Sequence, residues 1–215
     1  MPRVHFVKKA RKDNSACKKG EPYYWWEFRY GGKHLSAKPP RPSQLTQSKM
    51  SGVYEAQENV EDILDAVDAD DIDTVQSLAE TLREQAEAIR EVASEYGESA
   101  ENIKEHFPDG NQVSEECEEK QEALDGVADE MDNAADEIDT HYEEAKELSD
   151  EKEALLVELA ELEEKRDEID EESDKYADAD KECDEKQAEI DEKQTEIEGK
   201  VDEAKDLASG IDYDA

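Results

Sequence analysis

Residues 117–148 read CEEKQEALDGVADEMDNAADEIDTHYEEAKEL, and their spacing decides the fold. Cys117, Leu124, Met131, Ile138 and Ala145 recur every seven residues. Val127, Ala134, His141 and Leu148 repeat at the same interval. Two apolar positions in seven, with charge on the others, make the seam of a coiled coil. The second series continues through Leu155, Leu162, Ile169, Tyr176, Cys183, Ile190, Ile197, Ala204 and Ile211. Disordered chains share the high charge and low hydrophobicity seen here. They have no cause to hold a seven-residue interval, so the region reads as helix. Ser114, with Glu115 and Glu116 after it, supplies a capping hydroxyl and acidic residues for the first turn. The pattern predicts one long helix over 114–209 and a short tail over 210–215.

Upstream, Val75, Leu82, Ile89, Tyr96 and Ile103 form another heptad series. Ala79, Ala86, Ala93 and Ala100 run beside it, so one side of the seam is large and the other small. This predicts a helix over 74–106, weakened at Gly97. His106-Phe107-Pro108-Asp109-Gly110-Asn111 then breaks the pattern, which makes 107–113 a turn. The first helix should fold back antiparallel on the start of the long one. Beyond Leu162 one series turns polar at Arg166, Ser173, Asp180, Gln187 and Gln194. Half a seam packs poorly, so the distal part calls for a second chain and predicts a homodimer through the coil. Before the coil, Val60, Ile63, Leu64 and Val67 give a short connecting helix within 53–73.

Charge divides the chain. Residues 1–50 hold 12 Lys and Arg against 3 Asp and Glu, a net of +9. The remainder holds 14 against 61, a net of −47. Only 35% of the 215 residues are hydrophobic, and mean hydropathy is −1.08. Such a composition cannot fill a large globular core, whereas a helical seam needs little apolar surface. No apolar run follows the basic N-terminus and no stretch approaches a membrane span, so a soluble cytoplasmic protein is expected. The three cysteines, Cys17, Cys117 and Cys183, are few and scattered, which fits a reducing compartment.

The basic block carries the run Tyr23-Tyr24-Trp25-Trp26-Glu27-Phe28-Arg29-Tyr30. Aromatic residues favour strands, and Gly31-Gly32 supplies a turn. His34-Leu35-Ser36 is the returning strand. A β-hairpin head over 1–37 is therefore expected. Alternation places Tyr24, Trp26, Phe28 and Tyr30 on one face, and Tyr23, Trp25, Glu27 and Arg29 on the other. A lone hairpin is marginal in water, so one face should pack, with Phe6, Val4 and Leu35 as the available partners. The second face then offers aromatic rings and cations. Lys38-Pro39-Pro40-Arg41-Pro42 predicts an extended, semi-rigid linker over 38–52. The fold class is thus mainly α: a long acidic coiled-coil hairpin with a small basic β-hairpin region at its N-terminal end.

Cations beside stacked aromatics suit nucleic acid. Lys and Arg meet phosphates, and rings on a strand meet bases. The candidate site is Lys8, Lys9, Arg11, Lys12, Lys18, Lys19, Tyr23, Trp25, Arg29 and Lys33, with DNA, RNA or an acidic protein surface as partner. Two other roles fit the composition: a scaffolding coil whose head anchors it to a protein, and an acidic mimic of nucleic-acid charge.

Tyr23 to Lys33, with Ser36, resembles the small β-sheet arm-binding domains of phage tyrosine recombinases over residues 23–36. That resemblance implies DNA binding by the strands; no recombinase catalytic domain follows. Lys9-Ala10-Arg11-Lys12-Asp13-Asn14, the aromatic strand and Arg41-Pro42-Ser43-Gln44-Leu45-Thr46-Gln47-Ser48 together resemble the N-terminus of proteins encoded by tailed bacteriophages. That second resemblance covers about the first 50 residues and implies a phage or prophage origin, with the host cytoplasm as location.

No phosphate-binding glycine loop, paired Cys-x-x-Cys or nucleophile elbow is present in the sequence, so an enzyme is not expected. His5, Cys17 and His34 match no zinc spacing. Asp68-Ala69-Asp70-Asp71-Ile72-Asp73 lacks the glycine and terminal glutamate of a calcium loop. No metal or cofactor is expected.

Overall fold

The structure, a computed structural model, describes residues 1–107, 111–169 and 173–213. It is mainly α with a small sheet. The elements are β1 (His5–Val7), β2 (Tyr23–Glu27), β3 (Lys33–Ser36), α1 (Met50–Leu64), α2 (Asp73–His106), α3 (Gln112–Asp167) and α4 (Asp174–Ser209). The strands form one antiparallel sheet in the order β1-β2-β3, so the expected hairpin gains a third strand. The chain divides into two units. One is built mainly from Met1–Asn59 and Gln85–Ala128, the other from Val60–Glu84 and Asp129–Asp212.

In the first unit α2 and α3 pair antiparallel, as the heptads predict. Lys104 ion-pairs with Glu118, and the Lys120 ammonium lies 6.0 Å from the Tyr96 ring centroid. Ala86, Ile89, Ala93 and Ala100 of α2 are buried, as are Leu124, Val127 and Ala128 of α3. The small alanine stripe lets the helices approach closely. The two helical glycines facing neighbours differ. A Cβ at Gly52 of α1 would lie 2.8 Å from Val92 Cγ2, a short branched side chain with little freedom. A Cβ at Gly97 would meet only the end of the Gln121 side chain, at 2.5 Å, which can swing away. Gly52→Ala is therefore expected to destabilise the protein by about 1–3 kcal/mol through overpacking. Gly97→Ala is expected to be neutral or to stabilise by up to about 1 kcal/mol through helix propensity. Urea unfolding of the two variants checks the contrast; equal shifts of the same sign would refute it.

The linker and connecting helix differ from expectation. Only part of 38–52 is extended. Pro42 opens a 3-10 turn, Pro42–Leu45, where its fixed φ fits and its missing N–H costs nothing. Ser43 donates from its N–H (3.0 Å) and its hydroxyl (2.6 Å) to the buried carboxylate of Glu58 in α1. Helix α1 therefore starts at Met50 and ends at Leu64, against the predicted 53–73. Lys49 fastens its start to α2, donating to Ser99 Oγ (2.8 Å) and to the Glu95 carbonyl. In the second unit, Asp68–Asp73 is a turn in which the Asp68 carboxylate accepts the Asp70 N–H. Of the predicted 107–113 turn, Pro108, Asp109 and Gly110 lie outside the described residues. Asn111, not Ser114, caps α3: its side-chain oxygen accepts the Val113 N–H at 2.8 Å. Ser114 is buried inside the helix, and its hydroxyl donates to the Asn111 carbonyl.

The largest correction lies in the second unit. The single helix over 114–209 is two helices, α3 and α4, and α4 folds back antiparallel on α3. Lys200 pairs with Glu144 (2.9 Å), Lys193 with Glu151 (2.9 Å) and Lys186 with Glu158 (3.1 Å). Each step is seven residues forward on one helix and seven back on the other. Every one of these lysines also binds the glutamate three residues ahead on its own helix, Glu203, Glu196 or Glu189. Ser173 caps α4 by accepting the Lys175 N–H. Leu159, Cys183 and Ile190 form one buried cluster of the pair, flanked by Leu155 and Leu162, and further along α4 Ile197, Val201, Ala204 and Ala208 are buried as well. The polar series that seemed to lack a partner meets polar groups across the pair: Arg166 binds Asp180, and Gln194 accepts from Lys152 at 2.6 Å. The expected homodimer rested on that missing partner. Since α4 supplies it within one chain, the seam no longer calls for a second copy.

Helix α2 joins the same unit through Arg83, which binds Asp136 and Asp139 of α3, and through Asp73, which accepts from the Tyr142 hydroxyl at 3.2 Å. The Arg83 guanidinium is held above its usual range by the hydrogen bonds to Asp136 and Asp139. His141 lies at its core position, 3.3 Å from a Glu203 carboxylate oxygen. Hydrogen bonds to carboxylates hold Lys186, Lys193 and Lys200 above the usual lysine range. The hydrogen bond from Lys200 holds Glu203 below the usual carboxylate range. The sign follows for each side. Glu203 contributes fully above the ordinary carboxylate pKa, and the contribution disappears as pH falls through its depressed value. The lysines contribute fully below the ordinary lysine pKa, and theirs disappears as pH rises through the raised values.

Candidate nucleic-acid interface

Strand register sorts the head residues. His5 pairs with Trp25 and Val7 with Tyr23 on one side; Leu35 pairs with Trp25 and Lys33 with Glu27 on the other. One face thus carries His5, Val7, Tyr23, Trp25, Leu35 and Lys33. The opposite face carries Phe6, Tyr24, Trp26, His34 and Ser36, which places His5 and His34 on opposite sides of the sheet. Trp26 is buried on that face, near Ser43, Gln44 and Gln47. The segment after the proline run thus shares a hollow with Trp26, which Leu35, one of the expected packing partners, also lines.

Between β1 and β2 the chain forms a tight loop. Ala10 donates to the Glu21 carbonyl (2.8 Å), and Gly20 donates back to the Ala10 carbonyl (2.9 Å). The Asn14 side-chain oxygen accepts the N–H groups of Ala16 and Cys17. Asp13 accepts the Lys19 N–H and Glu21 the Lys18 N–H. Two of the three acidic residues of the basic block are thus committed to the backbone. Gly20 closes the loop at φ +97°, a left-handed conformation that glycine adopts without strain.

This loop lies against the Tyr23 face and makes a groove of about 490 Å³. Lys9, Arg11, Lys12 and Lys33 line it together with Tyr23 and Asn14. Val7, Ala10 and Leu35 supply apolar wall. No carboxylate contributes to the lining. Among the described residues, none of the four cations is in an ion pair. Five of the ten predicted site residues therefore converge.

The other five do not. Trp25 stands on the same face without lining the groove. The His5 ring stacks on it at 4.2 Å, and the Lys33 ammonium lies 3.8 Å from its centroid. Since β1 and β3 flank β2 on opposite sides, both faces of the Trp25 ring are covered. Lys8 is exposed beyond β1, and Lys18 and Lys19 are exposed in the loop near Gly20, outside the groove. Strand β2 ends at Glu27, short of the predicted Tyr30, so Arg29 sits in the turn closed by the Gly31 N–H and the Phe28 carbonyl (3.2 Å). Its guanidinium lies over Tyr30, 5.3 Å from the centroid. Asn14, Val7 and Leu35 are site residues that strand alternation missed. An Asx turn at Asp13-Asn14 followed by Gly20 was the available sign of a closed loop.

Comparison with protein families, with curated proteins and with solved structures gives no match. Among the described residues, no helix is long and apolar enough to cross a membrane.

Proposed function

We propose that this chain is a non-enzymatic, phage-type protein that binds nucleic acid through its N-terminal groove. One observation carries the reading: four cations, none in an ion pair among the described residues, surround a tyrosine in a concavity that no carboxylate lines. In a chain of net charge −38, such a place does not follow from composition. The helices, with 61 acidic residues against 14 basic ones outside the first 50, repel a polyanion and confine its approach to the head. They serve as the spacer or assembly element that holds the head.

The test uses the full chain and labelled oligonucleotides at about 50 and 200 mM salt. Four phosphate contacts predict a log–log salt slope near −2.8 for single strands and −3.6 for duplex, or about a 50-fold loss of single-strand affinity across that range. Changing Lys9, Arg11, Lys12 and Lys33 together to glutamine should bring the slope close to zero. Absence of binding by the natural sequence at the lower salt, or an unchanged slope in the variant, refutes the reading.

A further inference from the structure

We infer that the groove holds an unpaired base of a single-stranded nucleic acid against the Tyr23 ring, with the adjoining phosphates on the rim cations. This rests on the nucleic-acid reading above and narrows it.

The choice between single strand and duplex turns on which ring is open. Trp25, the larger platform, has one face under His5 and the other under Lys33. A base could stack on it only by displacing one of them. Tyr23 differs because of strand length. Val7 pairs with it on the β1 side, but the β3 pairing begins only at Tyr24 with Ser36. The position that would cover Tyr23 from the β3 side is Ala37, beyond the strand. Tyr23, unlike Trp25, lines the groove, so its ring is met from there.

The lining points the same way. A duplex presents phosphates, sugars and base edges, while its base faces are stacked on one another. Against a duplex, the apolar wall of Val7, Ala10 and Leu35 would lose water without gaining a ring. An unpaired base brings a flat apolar face to that wall and a phosphate on each side to the cations. The volume of about 490 Å³ falls within the range of about 300–1,000 Å³ that suits a small-molecule-sized group.

The experiment measures full-chain affinity for an oligonucleotide of about ten nucleotides, for the duplex of the same sequence and for an abasic strand of the same length, at one salt concentration. The single strand is expected to bind about 5- to 150-fold more tightly than the abasic strand, the value of one stacked base. It should also bind more tightly than the duplex. Tyr23→Ala should lose that same factor for the single strand only, and Tyr23→Phe should retain it. The abasic comparison needs no variant, so a fold defect in Tyr23→Ala leaves the test intact. Equal affinity for base-bearing and abasic strands, or a duplex bound as tightly as the strand, overturns the single-strand proposal while leaving salt-dependent binding in place. A free nucleoside monophosphate that competes as well per nucleotide as the strand also overturns it, and assigns the groove to small nucleotides. Binding to none of these probes refutes the nucleic-acid reading as a whole.

Discussion

Leu159→Ala combined with Ile190→Ala is expected to release the first half of α4 from α3. Both side chains belong to the small buried cluster that closes this end of the pair, together with Cys183. A buried leucine or isoleucine cut to alanine costs about 2–5 kcal/mol each. The two share a core, so the costs will not simply add. Their sum is nonetheless comparable to the whole stability of an ordinary domain, about 5–15 kcal/mol. The antiparallel pair has few other buried apolar groups at this level, since Leu156 and Val157 face solvent. The opening should therefore be local, with the sheet and the α2–α3 pairing retained. Cys183 reports it: buried in the folded pair, it should react with a thiol reagent far faster in the double variant. Unchanged Cys183 reactivity would refute the fold-back. The same measurement separates pairing within one chain from pairing between two. Protection that comes from within one chain is independent of protein concentration, whereas protection by a second copy would rise with it.

The seven-residue series was legible because a coiled-coil seam is a local, repeated demand on sequence. The reversal between α3 and α4 was not, for a geometric reason. From Asp167, the end of α3, to Asp174, the start of α4, is one heptad. The count from Leu162 through Ile169 and Tyr176 to Cys183 therefore crosses the reversal without a missed beat. No Gly or Pro stands in residues 168–173 to mark it. Two signs did exist. Ser173 is a capping residue, and the companion series changed from apolar to polar at Arg166. A change of seam chemistry signals a change of neighbour, and here the new neighbour was the chain itself.

The site divides along a similar line. Strand alternation placed Tyr23 and Trp25 on one face, as found. Alternation says nothing about what stands beside a ring, and the register that sets His5 and Lys33 against Trp25 depends on where β1 and β3 begin and end. The cations Lys9, Arg11 and Lys12 reach the groove because hydrogen bonds to Asn14, Asp13 and Ala10 fold the loop back over the sheet. Those bonds belong to a particular loop closure, which neither charge count nor periodicity encodes.

Trp26→Ala is expected to weaken binding and flatten its salt dependence without touching a groove residue. Trp26 is 4% exposed, and Ala10 is the only other buried hydrophobic residue among residues 1–50. The head therefore depends on one large side chain, whose ring also stacks on His34 of β3 at 5.5 Å. Truncating a buried tryptophan costs about 3–5 kcal/mol. Its indole N–H has no hydrogen-bond partner among the described residues, so the whole loss is packing. Against so small a core, that loss should unfold the sheet while the helices, with their own buried seams, persist. The groove exists only while β1, β2 and the Ala10–Glu21 closure hold Lys9, Arg11 and Lys12 beside Tyr23 and Lys33. Once the sheet opens, those cations become a flexible basic tail, with weaker and less salt-steep binding. Far-ultraviolet circular dichroism should keep most of its helical signal, while affinity falls and the log–log salt slope moves toward zero. Trp26→Phe, which keeps a ring in the core and removes the unpartnered N–H, should cost less than Trp26→Ala and keep more of the binding. If Trp26→Ala bound as tightly as the natural sequence, the cations would be acting without the fold, and the groove would not be the site.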